Sequence, residues 1–283
     1  MNTFYNEIDS YACEWLQNLM DYGVIDSGII ERKDIRGIKP NELQGYNKIH
    51  FFAGIGGWEY ALQLAKWPDT KEISLWTGSC PCQPFSTSGR RKGFSDERHL
   101  WPYWFWLIKQ QKPDIIFGEQ VASKGGIEWF SHVANDLERE NYTVGSIILP
   151  ACSVGAPHRR SRIWFVAHSP SLRCKQQGKR ETSTIQRECS ERKGKQTNDK
   201  QIGKLSGGFE RSCPSNKTMW RNLVWLPCEF NTLKPTKPGL FPMVDGIPVN
   251  MGRLRSYGNS IVPQLASIFI QTVMELLEIK DSE

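Results

Sequence analysis

Residues 51–57 read FFAGIGG: an apolar run stops at three glycines within four positions and gives way to the helical pattern WEYALQLAKW. This pattern predicts a buried strand over 47–53, a tight turn, and a helix over 58–67. Glycines let the backbone turn sharply there and let a nucleotide-like ligand come close. Strand-like segments at 3–8, 73–77, 114–118, 144–149 and after GAPHRRSR alternate with helical patterns at 11–22, 101–110 and 127–140. Such alternation argues a mainly parallel α/β sheet.

Composition sets wide limits. A chain of 283 residues can build one sizeable α/β domain and a small second one. A formal charge of +6 permits a polyanionic partner without requiring one. The eight cysteines have no regular spacing, and the near pair Cys80 and Cys82 is C-x-C, too close for a usual zinc half-site. Free thiols in a reducing cytoplasm, and no metal, are expected. MNTFYNEIDS has no basic stretch or apolar core of a signal peptide, and no apolar run approaches membrane-spanning length.

The second informative segment is GSCPCQPFS at 78–86. It places Cys82 between Pro81 and Gln83 at the end of a strand-like run, where a thiol can serve as a nucleophile. With FFAGIGG it resembles the DNA (cytosine-5)-methyltransferase family, whose first motif is F-x-G-x-G-G and whose catalytic motif is P-C-Q. The resemblance implies a Rossmann-like S-adenosylmethionine-dependent methyltransferase sheet with a small, irregular target-recognition region. In such an enzyme Cys82 would add to carbon 6 of a flipped cytosine and carbon 5 would take the methyl group.

One family feature is out of place. About two dozen residues separate Gly57 from Cys82, enough for one helix and one strand; the family normally fits two more strands there. NEIDSYACEWLQNLM (6–20) and KDIRGI (33–38) resemble the family's second and third motifs. The chain therefore reads as permuted, with strands two and three ahead of strand one. By resemblance Phe52, Ala53, Gly54, Ile55, Gly56 and Gly57 would cradle the cofactor, and Glu7 would bond its ribose. Ile8 would cover one adenine face, while Asp34 and Ile35 would meet the adenine edge. GNSIVPQLA (258–266) resembles the tenth motif, which assigns Asn259 and Ser260 to the methionine end. The alternative is that residues 1–46 form an unrelated cap with Glu7 and Asp34 as surface acids.

On the chemistry side, EQV (119–121) resembles the family's E-N-V motif, and HRRSR (158–162) its Q-x-R-x-R motif. Glu119 would hold a proton against cytosine N3, which near neutral pH needs a raised pKa. Arg160 and Arg162 would hold cytosine O2, a flanking phosphate or the catalytic loop. The basic loop GRRKGFSDER (89–98) suits closure over DNA phosphates, and SDERHLW (95–101) resembles the fifth motif.

These readings divide the chain into a catalytic domain (1–168), a target-recognition region (169–251) and a C-terminal segment (252–283) returning to the catalytic domain. Within the catalytic domain, residues 1–46 carry the displaced strands. Residues 169–218 are too poor in large apolar residues to bury much core. The resemblance implies a monomeric cytoplasmic enzyme of phage or prophage type, acting on double-stranded DNA. A cognate restriction endonuclease would be its counterpart without physical contact. An RNA cytosine-5 methyltransferase and a cofactor-deficient DNA-binding relative are the rival readings.

Overall fold

A computed structural model describes residues 3–81, 100–156, 158–170, 172 and 259–279, together with the backbone of 224–228 and 232–236. Seven strands form one sheet: β1 (Thr3–Asn6), β2 (Gly28–Glu31), β3 (Lys48–Phe51), β4 (Leu75–Gly78), β5 (Ile115–Val121), β6 (Thr143–Leu149) and β7 (Arg162–His168). Their spatial order is β2-β1-β3-β4-β5-β7-β6. Strands β1 to β5 pair in parallel, and β7 runs antiparallel to both neighbours. The sheet is the expected Rossmann-like α/β fold.

The expected permutation is visible in the register. Strand β1 lies between β2 and β3, pairing Thr3 with Gly28 on one side and Thr3 with Lys48 on the other. The first two strands in the chain therefore occupy sheet positions beyond the glycine-turn strand. A parallel sheet asks only that each crossover can reach its neighbour, and residues 32–47 make that return through two short 3₁₀ turns.

The helices are α1 (Ser10–Asp21), α2 (Gly57–Leu64), α3 (Trp101–Gln111), α4 (Lys124–Arg139) and α5 (Pro263–Leu276). Helix α1 starts where Asp9 accepts a hydrogen bond from the Ala12 amide, and it buries Ala12, Cys13, Leu16 and Met20. Helix α4 begins three residues before the apolar periodicity indicates, because Ser123 caps it by accepting from Gly126 N. Strand β2 ends at Glu31, so Asp34 does not close a strand as expected; it caps the 3₁₀ turn Ile35–Gly37 instead.

Both faces of the sheet are covered, which makes the inner strands continuous apolar runs. Trp76, Ile116 and Phe165 join Trp101, Trp104 and Trp129 in one core. Leu75, Phe117 and Trp164 join Trp58 from α2 and Phe269 from α5 in the other. Helix α5 thus packs against this face of the sheet. The strands β8 (Val224–Cys228) and β9 (Thr232–Thr236) form a separate antiparallel pair. Among the described residues, no helix is long and apolar enough to cross a membrane.

Candidate active site

A cleft of about 800 Å³ opens along the C-terminal ends of the parallel strands, where open α/β sheets bind ligands. It is lined by Glu7, Ile8, Asp34, Ile35, Phe52, Ala53, Gly54, Ile55, Gly57, Glu119, Arg160, Arg162, Asn259 and Ser260. Fourteen of the sixteen residues expected at the site from sequence therefore share one cavity. Gly56 faces away from it: its φ is +80°, and a Cβ there would meet Leu16 and Ile25 in the α1 packing. Cys82 lies outside the described residues, as do the loop 89–98 and most of the fifth-motif stretch; Pro81, its chain neighbour, lines the cleft.

At one end, Glu7 follows directly after β1. Its Oε1 accepts from the amides of Ile8 and Asp9, both at 2.9 Å, and its Oε2 accepts from the amide of Gly54 at 2.7 Å. The carboxylate thus joins the displaced strand to the glycine turn across 47 residues of chain. Phe52 at φ +51° and Gly54 at φ +55° lead the backbone through the left-handed region. A Cβ on Gly54 would meet no atom nearer than Phe52 O at 4.0 Å, so the turn leaves its backbone open to the cleft. Asp34 is held by Arg36: Oδ1 accepts from Nε at 2.9 Å and Oδ2 from Nη2 at 2.7 Å. That guanidinium holds Asp34 below the usual carboxylate range.

At the other end, Glu119 points in from β5. Arg162 at the start of β7 places its Nε 2.7 Å from Glu119 Oε1, across an antiparallel pair that sets Val121 opposite Arg162. The Ser79 hydroxyl lies beside Glu119 and accepts from Trp58 Nε1 at 3.1 Å. Burial pushes the Glu119 pKa up, and Arg162, Arg160 and the Ser79 hydroxyl offset only part of that rise. Gln120, which stands in for the family's usual Asn, donates from Nε2 to the Cys80 carbonyl at 3.1 Å and accepts from Val121 N at 2.9 Å. It pins the chain leading to Pro81 onto the end of β5. Arg160 donates from Nη2 to the Ser260 carbonyl at 2.7 Å.

The sequence does not single out Ser79, Trp58 or Arg36, which stand beside these residues in the structure. Ser79 sits inside GSCPCQPFS, and its nearness in sequence to Pro81 and Cys82 is the available signal. Trp58 follows the last glycine directly, but nothing in the sequence pairs it with a serine 21 residues on.

The family described as C-5 cytosine-specific DNA methylase matches residues 63–240, well over half of the chain. The chain belongs to that family. It is similar to the Type II methyltransferase M.HhaI of Haemophilus parahaemolyticus, 27% identical over 172 residues, covering 48% of this chain and 53% of the relative. With the Type II methyltransferase M.SsoII of Shigella sonnei it shares 31% identity over 176 residues, 49% of this chain and 46% of that protein. The chain spans about half the length of these relatives. Among solved structures, a mutant DNMT2 of Spodoptera frugiperda is similar over 60% of this chain and 43% of its own, at 17% identity and a TM-score of 0.39.

Proposed function

We propose that this chain is a DNA cytosine-5 methyltransferase using S-adenosylmethionine, with Cys82 as nucleophile. The observation that carries the reading is a single cleft holding Glu7 and the open glycine turn at one end and Glu119 with Arg162 at the other, with Pro81 on its wall. The cofactor end fits a nucleoside-type donor. Gly54 leaves room where a side chain would stand, and the fixed Glu7 carboxylate can accept ribose hydroxyls. Asp34 and Ile35 would meet the adenine edge, while Asn259 and Ser260 would face the methionine end.

S-adenosylmethionine supplies an electrophilic methyl group, leaving S-adenosylhomocysteine. The protein must make a flipped cytosine nucleophilic at carbon 5. The Cys82 thiolate forms a bond to carbon 6, and the displaced electron pair moves toward N3 and carbon 5. Glu119, whose pKa burial raises, would donate a hydrogen bond or its proton at N3, while Arg162 holds the carboxyl in place and would face the base. Carbon 5 takes the methyl group; loss of its proton then breaks the carbon 6–sulfur bond and restores the thiolate. Residues 169–251 would carry target recognition, and the protein would act on double-stranded DNA as a cytoplasmic monomer.

The test is transfer of tritium from labelled S-adenosylmethionine to unmethylated duplex DNA by wild type and Cys82→Ala. Label from wild type alone, recovered as 5-methylcytosine, is expected. Label in transfer RNA but not in DNA would overturn the substrate assignment, and label from Cys82→Ala would overturn the nucleophile.

A further inference from the structure

Residues 259–261 are clasped from two sides. On one side is the glycine turn, so close that a Cβ on Gly57 would stand 2.8 Å from Ile261 Cγ1 and 3.4 Å from Ser260 Oγ. On the other is Arg160, whose Nη2 donates to the Ser260 carbonyl at 2.7 Å across 100 residues of chain. The helix that follows has Val262 as its N-cap, and no side chain caps its first turn. Arg160 itself has a φ of +34°, a left-handed value that a non-glycine residue keeps only when its surroundings hold it there. Its guanidinium also lies within electrostatic reach of Glu119 and Arg162.

We propose that Arg160 is a positioning residue for the methyl donor, a strut from the base end of the cleft that presses residues 259–261 against the glycine turn. This rests on the functional reading above, in which Asn259 and Ser260 face the methionine end of S-adenosylmethionine. It gives Arg160 a task on the donor side that needs no DNA. A charge-assisted hydrogen bond in a partly buried place is worth more than a neutral surface one. Without it, the donor must itself order the segment as it binds, and affinity falls by that ordering cost.

The experiment is calorimetric titration with S-adenosylmethionine and S-adenosylhomocysteine in the absence of DNA. Arg160→Met should raise the dissociation constant roughly 10-fold, the size expected for loss of one charge-assisted bond. Arg160→Lys, which can still donate to the same carbonyl, should recover part of it. Arg139→Met, at an exposed arginine of α4 outside the cleft, should leave donor affinity at the wild-type value. Amide exchange at Ile261, Val262 and Leu265 should speed up in Arg160→Met while that of β4 and β5 does not change. If Arg160→Met misfolds, the Lys variant carries the comparison. Wild-type donor affinity and unchanged exchange in Arg160→Met would overturn the inference alone. A wild type that binds no donor would overturn the functional reading and the inference with it.

Discussion

Arg162 Nε stands 2.7 Å from Glu119 Oε1, with 17% and 8% of the two side chains exposed. The pair is buried enough that desolvation outweighs attraction, and Glu119 keeps its proton above the ordinary carboxylate range. The folded chain therefore binds that proton more tightly than the unfolded chain. Its contribution to stability is complete below about pH 4.5 and is lost as pH climbs through the raised folded value. Wild type should lose stability relative to Glu119→Gln over that rise, whatever the constant offset between them, and thermal melts in steps from pH 4 to 8 check it. At fixed pH, Glu119→Gln should cut methyl transfer about 10²–10⁴-fold, the range for losing a general acid, with donor affinity unchanged.

A second buried cluster behaves in the opposite sense. Glu59, fully buried in the first turn of α2, receives Lys48 Nζ at 2.8 Å and faces His50 Nε2 at 2.9 Å; Nδ1 of that ring meets Thr77 Oγ1 at 2.8 Å. Lys48 also pairs with Asp26, which ties the β1–β2 connection to the β3–α2 unit. Burial pushes Glu59 up, but His50 and Lys48 prevail and hold it down at about 2. This stability is present above the unfolded value near 4.5 and is lost as pH falls through about 2. Glu59→Gln should cost about 3–5 kcal/mol at neutral pH, because it breaks a buried pair from one side. Its stability should also be flatter than wild type between pH 4.5 and 2. Denaturant titrations at both ends of that range test the two claims together.

What could be read from sequence was what local pattern or spacing encodes. The strand, turn and helix at 47–67 follow from an apolar run meeting glycines. The permutation follows from an interval too short for two strands, set beside NEIDSYA at the front of the chain. Pairings across long separations could not be read: nothing near Lys48 or His50 names Glu59 as their partner, and nothing near Ser79 names Glu119. Asp34 shows a subtler limit. Its D-I dipeptide marked the right wall of the cleft, yet Arg36 two residues on engages both of its oxygens. Sequence located the residue and not its free valences.

The proposed function gives Glu7 a second task beside its observed one, and a KM-against-kcat comparison separates them. Its carboxylate accepts three backbone amides, from Ile8, Asp9 and Gly54, which sets the glycine turn against the end of β1. It also stands where ribose hydroxyls would arrive. Glu7→Ala should weaken donor binding roughly 10- to 100-fold, the scale for losing charge-assisted hydrogen bonds. At saturating donor, turnover should stay within a few-fold of wild type, because Glu7 lies at the far end of the cleft from Glu119. Turnover that collapsed at saturating donor, with affinity intact, would refute this division of labour.

Gly57 opens α2, where alanine is the better helix former by up to about 1 kcal/mol. Propensity alone therefore predicts that Gly57→Ala stabilises the protein. Contact predicts the reverse, since the added Cβ would stand 2.8 Å from Ile261 Cγ1, and overpacking of this kind costs about 1–3 kcal/mol. The contact should win, with the variant melting lower and binding donor more weakly as residues 259–261 are pushed off the turn. Ile261→Ala removes the obstructing atom, so the double variant should recover much of what Gly57→Ala loses. The four proteins form a cycle whose coupling energy measures this contact. Additive losses in the cycle would mean that the turn and the C-terminal segment do not press on each other.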